Sequence, residues 1–289
     1  MITVKSRGLS FVLVSCVYVI AAAVGILTYR ALAPWLLFSA LLVADAAATV
    51  AVFLFSLLFG NASVYDPYWS VQPPVILLRL AVSFEKTFTW VDVLLLAVIL
   101  LWAIRLTANW AYTFGGLTHQ DWRYTMLSEK TGRAYPLINL LGIHMFPTLV
   151  VYACILPAAY VLREGGEGNP VSVLGLLLSL LAITLQLVSD SEMQAFRRRR
   201  EGGFIRTGLW RYSRHPNYLG EILMWWGVAI TSLSVLPREM SALVLGAIVN
   251  TVMFLVVSIP MADRRQARKE GYAAYRAETR SLLPIPRRK

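Results

Sequence analysis

Long apolar stretches recur along this chain and constrain its fold more than any other feature. Seven spans can be drawn, over residues 9–29, 33–59, 90–111, 137–162, 171–189, 218–237 and 240–260. Each is close to the roughly 20 residues that a helix needs to cross a bilayer. Only 15% of the residues are charged, against about 25% in a soluble domain. The sequence therefore predicts an all-α integral membrane protein with seven transmembrane helices in one bundle.

Basic residues are unevenly distributed between the loops. The loops after the first, third and fifth spans share a side with the C-terminal segment, and these four segments hold one, three, seven and nine basic residues. The other side holds six. Because cytoplasmic loops carry the excess of Lys and Arg, we expect the N-terminus outside and the C-terminus in the cytoplasm. The same rule accounts for the net charge of +11, so nucleic acid is not an expected partner.

The sequence excludes two simpler interpretations, a cleaved signal peptide and a site built on cysteine. The first apolar run is too long for a signal peptide and lacks a small-residue cleavage signature, so we interpret it as a retained span. The two cysteines, Cys16 and Cys154, lie inside apolar runs. They have no metal-ligand spacing and form no disulfide framework. We therefore expect no metal site built on cysteine.

A basic segment with several glycines joins the fifth and sixth spans. Asp190 ends the fifth span, Arg197 to Arg200 form a block of four positive charges, and further arginines and glycines follow. Guanidinium groups bind phosphate oxygens in pairs, and glycines allow close approach of the backbone. This pattern favours a polyphosphate ligand, although a basic patch on anionic lipid is the alternative for the charge alone.

The segment "RYSRHPNYLGE" adds polar residues that a lipid headgroup does not require. If a helix begins near Pro216, which suits the first helical position, then Asn217 and Glu221 share one helix face. Their amide and carboxyl groups could bind a carboxamide or ribose hydroxyls. The other polar members of the segment are Arg211, Tyr212, Ser213, Arg214, His215 and Tyr218. Of these, Tyr212, Arg214, His215 and Tyr218 are the further candidates for binding.

Charged residues elsewhere in the spans and loops also need a reason, because charge inside a bilayer is costly. Asp45 lies in the middle of the second span, where it is either functional or a paired buried carboxyl. Arg105 lies near the cytoplasmic end of the third span, where snorkelling to the headgroups is the alternative. Asp121, Arg123 and Tyr124 lie in a cytoplasmic loop, where they either join a cofactor pocket or cap the loop.

The segment "NASVYDPYWSVQPP" after the second span combines aromatic rings with a carboxyl group. Tyr65 and Trp69 could line a site for a flat, apolar substrate, with Asp66 or Tyr68 as proton donor. An interfacial aromatic belt is the alternative. Prolines 67, 73 and 74 are expected to break helix here, and the stretch 74–84 is too short to cross a bilayer.

Several of these motifs together resemble the steroid 5-alpha-reductase family, and most closely its bacterial branch of uncharacterised membrane proteins. The resemblance lies in "GLWRYSRHPNYLGEILMWWG" and the preceding "SDSEMQAFRRRR". It continues in the tail "YAAYRAETRSLLPIP" and in the upstream stretches "DPYWSVQPP", "WAIRLTANWAY" and "QDWRY". It covers most of the chain after residue 60.

The resemblance implies a seven-span fold in the bacterial inner membrane, with NADPH held by cytoplasmic loops and hydride passed to an activated carbon–carbon double bond. It implies a single membrane domain, 1–289, with substrate-side spans in 1–111 and cofactor-binding spans in 112–289. By matched motif it makes Asp190, Arg197, Asn217 and Glu221 cofactor-binding, with Arg105, Arg123 and Tyr124 as further candidates. Tyr212, Arg214, His215 and Tyr218 lie in the motif, where they either bind the cofactor or only shape the loop. Asp121, from the same loop as Arg123, is also predicted to bind the cofactor.

The sequence departs from the family at the substrate end. Characterised members hold the substrate carbonyl with a Gln–Glu pair on the second span and a Tyr on the third. No such pair occurs here, and the nearest matches by position are Tyr65 and Asp66, with Trp102 in the place of the Tyr. We therefore predict Asp66 and Tyr68 as catalytic, and Tyr65, Trp69, Trp102 and Asp45 as substrate-binding.

Two alternative functions stay open at this stage. An "RHPxY" element also precedes a span in isoprenylcysteine carboxyl methyltransferases, which bind S-adenosylmethionine, although that molecule has no phosphate to suit the arginine block. A non-catalytic lipid-binding protein is the other alternative, supported by the missing Gln–Glu pair. The expected partners are a lipophilic small molecule and membrane lipid, and the sequence leaves the oligomeric state open.

Overall fold

The structure is a computed structural model that describes residues 4–32, 36–199 and 202–285. These residues form helices joined by short loops, and within them no strand occurs beyond an isolated bridge between Ser213 and Arg280. The predicted all-α class is confirmed.

Twelve α-helices are present in these ranges, in addition to short 3₁₀ and π segments. In chain order they are α1 (Arg7–Ala31), α2 (Leu37–Phe59), α3 (Tyr68–Ser83), α4 (Trp90–Thr113), α5 (Trp122–Thr131), α6 (Tyr135–Ile138), α7 (Phe146–Glu164), α8 (Pro170–Arg199), α9 (Pro216–Leu233), α10 (Leu245–Met253), α11 (Ile259–Gln266) and α12 (Tyr272–Glu278).

Six helical stretches in the described part of the chain are long and apolar enough to cross a membrane, so the protein is an integral membrane protein. They are Arg7–Ala31, Leu37–Phe59, Trp90–Thr113, Trp122–Glu164, Pro170–Arg199 and Arg238–Gln266. The sixth predicted span, 218–237, is the one that no such stretch covers: it falls on α9, which is shorter and carries Asn217 and Glu221. The count of seven and the orientation of the termini stay predictions.

The chain divides into two compact units. Unit 1 comprises Met1–Arg79 and Ala103–Tyr152, and unit 2 comprises Leu80–Trp102 and Ala153–Lys289. The predicted division at residue 111 into substrate and cofactor regions concerns function and stays a prediction.

In unit 1, α1 packs along α2 through small residues. Ala21 of α1 is buried in the same apolar cluster as Ala48 of α2, and a Cβ on Gly25 would lie 3.5 Å from the Cβ of Ala48. Small side chains let membrane helices approach closely, so that dispersion contacts accumulate along the interface.

One expectation about unit 1 is wrong. Pro73 and Pro74 were expected to break helix, but both lie inside α3. Membrane helices tolerate proline because neighbouring groups satisfy the carbonyls whose partners are lost. Residues 74–83 of the stretch 74–84 are therefore the second part of the 16-residue helix α3, which ends at Ser83.

In unit 2, α8 and α9 approach closely enough that glycine is required at their contact. A Cβ on Gly175 would lie 2.4 Å from Thr231 Oγ1, and one on Gly227 would lie 2.6 Å from the Gly175 carbonyl oxygen. No real side chain tolerates such distances. This close contact fixes the position of α9, whose first turns carry the predicted cofactor residues.

Candidate functional site

The first turn of α9 begins where the sequence predicts. Pro216 is the first helical residue and His215 is the N-cap residue. Asn217 is half-buried, and Glu221, four residues further, is only 6% exposed. The expectation that these two side chains lie one turn apart on a helix starting at Pro216 is confirmed.

Among the described residues, the side chains that donate hydrogen bonds to the Glu221 carboxylate include three neutral ones of unit 2. Trp102 Nε1 lies 2.8 Å and Gln186 Nε2 lies 2.7 Å from Oε2, and Trp225 Nε1 lies 3.1 Å from Oε1. The Trp102 and Trp225 rings meet edge to face, with centroids 4.9 Å apart. Hydrogen bonds to a carboxylate are stronger than neutral ones, so this arrangement fixes the position of the Glu221 side chain.

Gln186 has an unused acceptor beside this carboxylate. The side chain is 1% exposed, its Nε2 donates to Glu221, and its Oε1 has no hydrogen-bond partner among the described residues. Buried polar atoms are nearly always paired in folded proteins. An acceptor left over at this position fits the N–H of a carboxamide or a hydroxyl group of a ligand.

The arginine block at the end of α8 points to solvent. Arg197, Arg198 and Arg199 are exposed, and Arg200 lies outside the described residues. Gly202 and Gly203 follow with φ values of 72° and 66°, and a Cβ on either would meet no atom within 4 Å. Exposed guanidinium groups beside an open, glycine-containing loop have the chemistry that phosphate groups require.

Arg214 and His215 are bound to one carboxylate that the sequence analysis did not identify. Asp263, which is 4% exposed, accepts from Arg214 Nη2 at 3.0 Å, from His215 Nε2 at 2.9 Å and from the Tyr272 hydroxyl at 2.5 Å. A buried acid at the end of the last apolar run was the available signal for this group. Arg214 and His215 therefore stabilise the fold of this segment, and a role in binding a cofactor stays a prediction for both.

The C-terminal tail is attached to the same segment by its backbone. The amides of Arg214 and His215 donate to the carbonyls of Arg280 and Ser281 at 2.9 and 3.1 Å, and the Tyr275 hydroxyl donates to the Trp210 carbonyl. The tail thereby anchors the loop that precedes α9.

The remaining predicted residues of unit 2 surround this loop. The Tyr218 ring stacks on the His215 ring with centroids 5.3 Å apart and planes 6° apart. Tyr212 is 39% exposed, and Asp190 is half-buried within α8. Their predicted part in binding a cofactor stays a prediction.

In unit 1, Asp45 is a buried carboxyl with two partners. The Tyr68 hydroxyl donates to Oδ1 at 2.9 Å, and Gln72 Nε2 donates to Oδ2 at 2.6 Å. This pairing is the arrangement expected of a structural carboxyl within a bundle. The predicted catalytic hydroxyl of Tyr68 is therefore hydrogen-bonded directly to a carboxyl group.

Three hydroxyl groups form a second hydrogen-bonded group next to the one around Asp45. The Tyr65 and Thr148 hydroxyls are 2.9 Å apart, and those of Thr148 and Thr49 are 3.1 Å apart. The Tyr65 and Tyr68 rings lie 5.5 Å apart. Gln72, Thr49 and Thr148 were missed in the sequence because nothing in a single apolar helix shows which polar residue faces a partner.

Asp66 belongs to a cluster with the predicted loop residues of unit 1. The Tyr124 hydroxyl donates to Asp66 Oδ1 at 2.6 Å, while Asp121 caps α5 and pairs with Arg123 Nε at 2.8 Å. Burial raises the pKa of Asp66 to about 6, and the positive charge of Arg123 opposes part of that shift. A carboxyl that titrates close to neutral pH is suited to donating a proton. Asp121 also has the capping role that was the alternative at the sequence level.

The last three predicted residues lie on the helices of the two units. Trp69, on α3, and Arg105, on α4, are half-buried in unit 1. Trp102, predicted to contact substrate, belongs to unit 2 and is fully buried with its N–H on Glu221.

Comparison with known proteins gives a family and one distant relative. Residues 52–279 match the family described as protein of unknown function (DUF1295). An uncharacterised protein of Schizosaccharomyces pombe is 28% identical over 150 residues, which are 43% of this chain and 43% of the yeast protein. No solved structure matches the chain.

Proposed function

Because this chain belongs to the steroid 5-alpha-reductase-like family DUF1295, we propose that it is an NADPH-dependent membrane reductase. Its substrate is a steroid-like or other lipophilic molecule with an activated carbon–carbon double bond. The cofactor is bound from the cytoplasm, and the protein acts in the bacterial inner membrane.

The observation that supports this proposal best is the buried polar group at the start of α9. Glu221 is fixed by three N–H donors, and Gln186 Oε1 beside it is an acceptor without a partner in the described chain. A nicotinamide ring carries a carboxamide whose N–H groups need such acceptors. Asn217, one turn nearer to the loop, offers both a donor and an acceptor.

The loop before α9 supplies the chemistry for the phosphate groups. Arg197 and its two neighbours on α8 are exposed, as are Arg206 and Arg211. Among the described residues, none of these five arginines forms an ion pair with a carboxylate that would compete with a phosphate, whereas Arg214 is bound to Asp263. We therefore assign the phosphates to the exposed arginines and not to Arg214.

Reduction of an activated double bond needs a hydride at one carbon and a proton at the other. NADPH supplies the hydride when it is bound. The proton comes from the chain or from water, and we propose the carboxyl of Asp66 or the hydroxyl of Tyr68 as the donor. Asp66 titrates in the useful range because burial raises its pKa to about 6. The Tyr68 hydroxyl still carries its proton, which it shares in a hydrogen bond with Asp45.

The bound cofactor can be identified directly. Protein purified in a mild detergent is denatured, and the released small molecules are identified by mass spectrometry. NADP(H) is the expected product. S-adenosylmethionine, or S-adenosylhomocysteine, would instead identify a methyltransferase and overturn the proposal.

Site variants locate the cofactor. Glu221→Gln and Asn217→Ala are each expected to weaken NADPH binding at least about tenfold, since each loses a hydrogen bond to a buried ligand group. Glu239→Gln is the matched control, because Glu239 is exposed in a short segment of the same unit. Unchanged NADPH affinity in both site variants would refute this location.

A further inference from the structure

A π-helix in unit 1 carries two buried polar side chains that the reductase chemistry does not use. This segment, Asn139–Met145, connects α6 to α7. Asn139 is 2% exposed and His144 is completely buried. Single π-helical turns inside α-helices occur frequently at functional sites, so the unpaired atoms on this one need an explanation.

The tautomer of His144 follows from the hydrogen bond that its ring makes in the described part of the chain. Nδ1 lies 3.0 Å from the carbonyl oxygen of Asn139. A carbonyl oxygen can only accept, so the hydrogen is on Nδ1. Nε2 therefore has a free lone pair, and it has no hydrogen-bond partner among the described residues.

Asn139 presents a second unused acceptor on the same π-helix. Its Nδ2 donates to Ser56 Oγ at 3.1 Å, and that hydroxyl in turn donates to the Phe53 carbonyl at 2.7 Å. These bonds fix the orientation of the amide. Asn139 Oδ1 is left without a partner in the described part of the chain.

Aromatic rings border the His144 imidazole. The Tyr65 ring centroid lies 4.8 Å and the Phe53 ring centroid 5.6 Å from that of His144. Sites for small molecules combine such apolar walls with a few polar groups that fix orientation. The walls here suit a lipophilic ligand, and both unused polar atoms are acceptors.

We infer that unit 1 binds the hydroxyl group of a lipophilic alcohol, which donates its hydrogen to His144 Nε2. The Asn139 Oδ1 atom lies on the same short segment and accepts from a second donor of that ligand or from an ordered water. A ketone or an ether cannot replace the alcohol, because neither has a hydrogen to donate. The inference rests on the proposed function only where it identifies this alcohol with the substrate of the reductase.

The first experiment measures equilibrium binding in detergent without NADPH, so that failure of the reductase proposal leaves it intact. The probes are linear, isoprenoid and sterol alcohols, each paired with its own methyl ether. At least one alcohol is expected to bind about fivefold to tenfold more tightly than its ether. If no alcohol in the panel exceeds its ether, the inference is wrong.

Variants assign the preference to one nitrogen. His144→Phe keeps an aromatic ring and is expected to remove the preference for alcohol over ether. His119→Phe makes the same chemical change at an exposed histidine of unit 1 and is expected to preserve it. A preference that survives in folded His144→Phe protein would place the hydroxyl elsewhere.

Nitrogen NMR tests the wild-type protein and does not depend on the variant folding. The chain has only three histidines, so ¹⁵N-labelled imidazole signals are few. We expect one buried pyridine-type Nε2 signal, which moves on addition of the tightest-binding alcohol and stays in place with its ether. A signal that neither compound moves would indicate an ordered water only, and would overturn the inference.

Discussion

Trp102 Nε1 lies 2.8 Å from Glu221 Oε2, although the two residues are 119 positions apart in the chain. The sequence predicts separate roles for them, with Trp102 contacting the substrate and Glu221 the cofactor. Their hydrogen bond shows that the indole also holds the carboxylate in place. Trp102 therefore helps to fix the position of the Glu221 side chain on α9, whichever ligand the indole contacts.

Replacing Trp102 by Phe removes an N–H donor to Glu221 and keeps most of the aromatic surface. We expect the free energy of unfolding to fall by about 1–3 kcal/mol, because a buried carboxylate oxygen loses a donor. The measurement is the midpoint of thermal or denaturant unfolding in detergent. NADPH affinity should fall together with it if Glu221 contacts the cofactor.

The matched control is Trp226→Phe. Trp226 Nε1 donates to the Thr251 hydroxyl at 2.9 Å, and that hydroxyl can still donate to the Ala247 carbonyl, as it does at 2.8 Å. Since no charged group is left unpaired, this control should cost less than Trp102→Phe. If both variants lose the same free energy of unfolding, the hydrogen bond from Trp102 stabilises the Glu221 carboxylate no more than an indole stabilises a neutral hydroxyl.

The architecture of this protein could be predicted from the sequence because a bilayer imposes a length on its helices. Apolar runs of that length located most of the long helices to within a few residues, and Pro216 marked the start of α9 by its fixed backbone angle. The same rule failed for Pro73 and Pro74, because a proline removes one hydrogen bond and neighbouring groups can compensate for it.

The partners of the polar residues could not be predicted. Asp263 contacts Arg214 across 49 residues, and Gln186 contacts Glu221 across 35. Such pairs depend on how helices rotate and pack against one another, and the spacing of residues along a single helix does not contain that information. His144 was missed for the same reason, since a single histidine in an apolar run forms no recognisable pattern with other polar residues.

Changing Asp263 to Asn is expected to release the C-terminal tail. Asn keeps the size of the side chain but removes the charge that Arg214 faces, and breaking a buried ion pair by removing one partner costs about 3 kcal/mol. Hydrogen exchange should therefore accelerate in α12, whose Tyr272 loses a charged acceptor. Limited proteolysis should cut the tail sooner than in the wild type.

The control for this change is Glu270→Gln, which alters an exposed acid between α11 and α12. Exposed single charges contribute little to stability, so exchange in the tail should stay at the wild-type rate. If Asp263→Asn leaves the tail as protected as the control does, the carboxylate is not what holds it.

Two glycines of the loop before α9 should respond differently to alanine. Gly208 has a φ of 58°, and a Cβ there would lie 2.0 Å from Glu192 Oε1, the carboxylate that accepts from the Leu209 amide. Gly202 has a φ of 72° and open space beyond it. Gly202→Ala should cost only the left-handed strain of about 1–2 kcal/mol, whereas Gly208→Ala should cost more because the Glu192 bond is also lost. Equal unfolding midpoints for the two variants would contradict this account.

The stability of the protein should depend on pH through Asp66. Burial raises its pKa from the ordinary value to about 6, so the folded state binds the proton more tightly than the unfolded state does. The stabilisation from this group is complete below the unfolded pKa and is lost as the pH rises through about 6. The unfolding midpoint of the wild type, measured relative to Asp66→Asn, should therefore decrease as the pH rises from 4 to 7.

The control residue Asn cannot titrate but can still accept a hydrogen bond from Tyr124, so the variant removes the proton and keeps the contact. A constant difference between the two proteins across that interval would show that Asp66 titrates in the folded protein as it does in the unfolded chain, and it would remove the support for Asp66 as the proton donor.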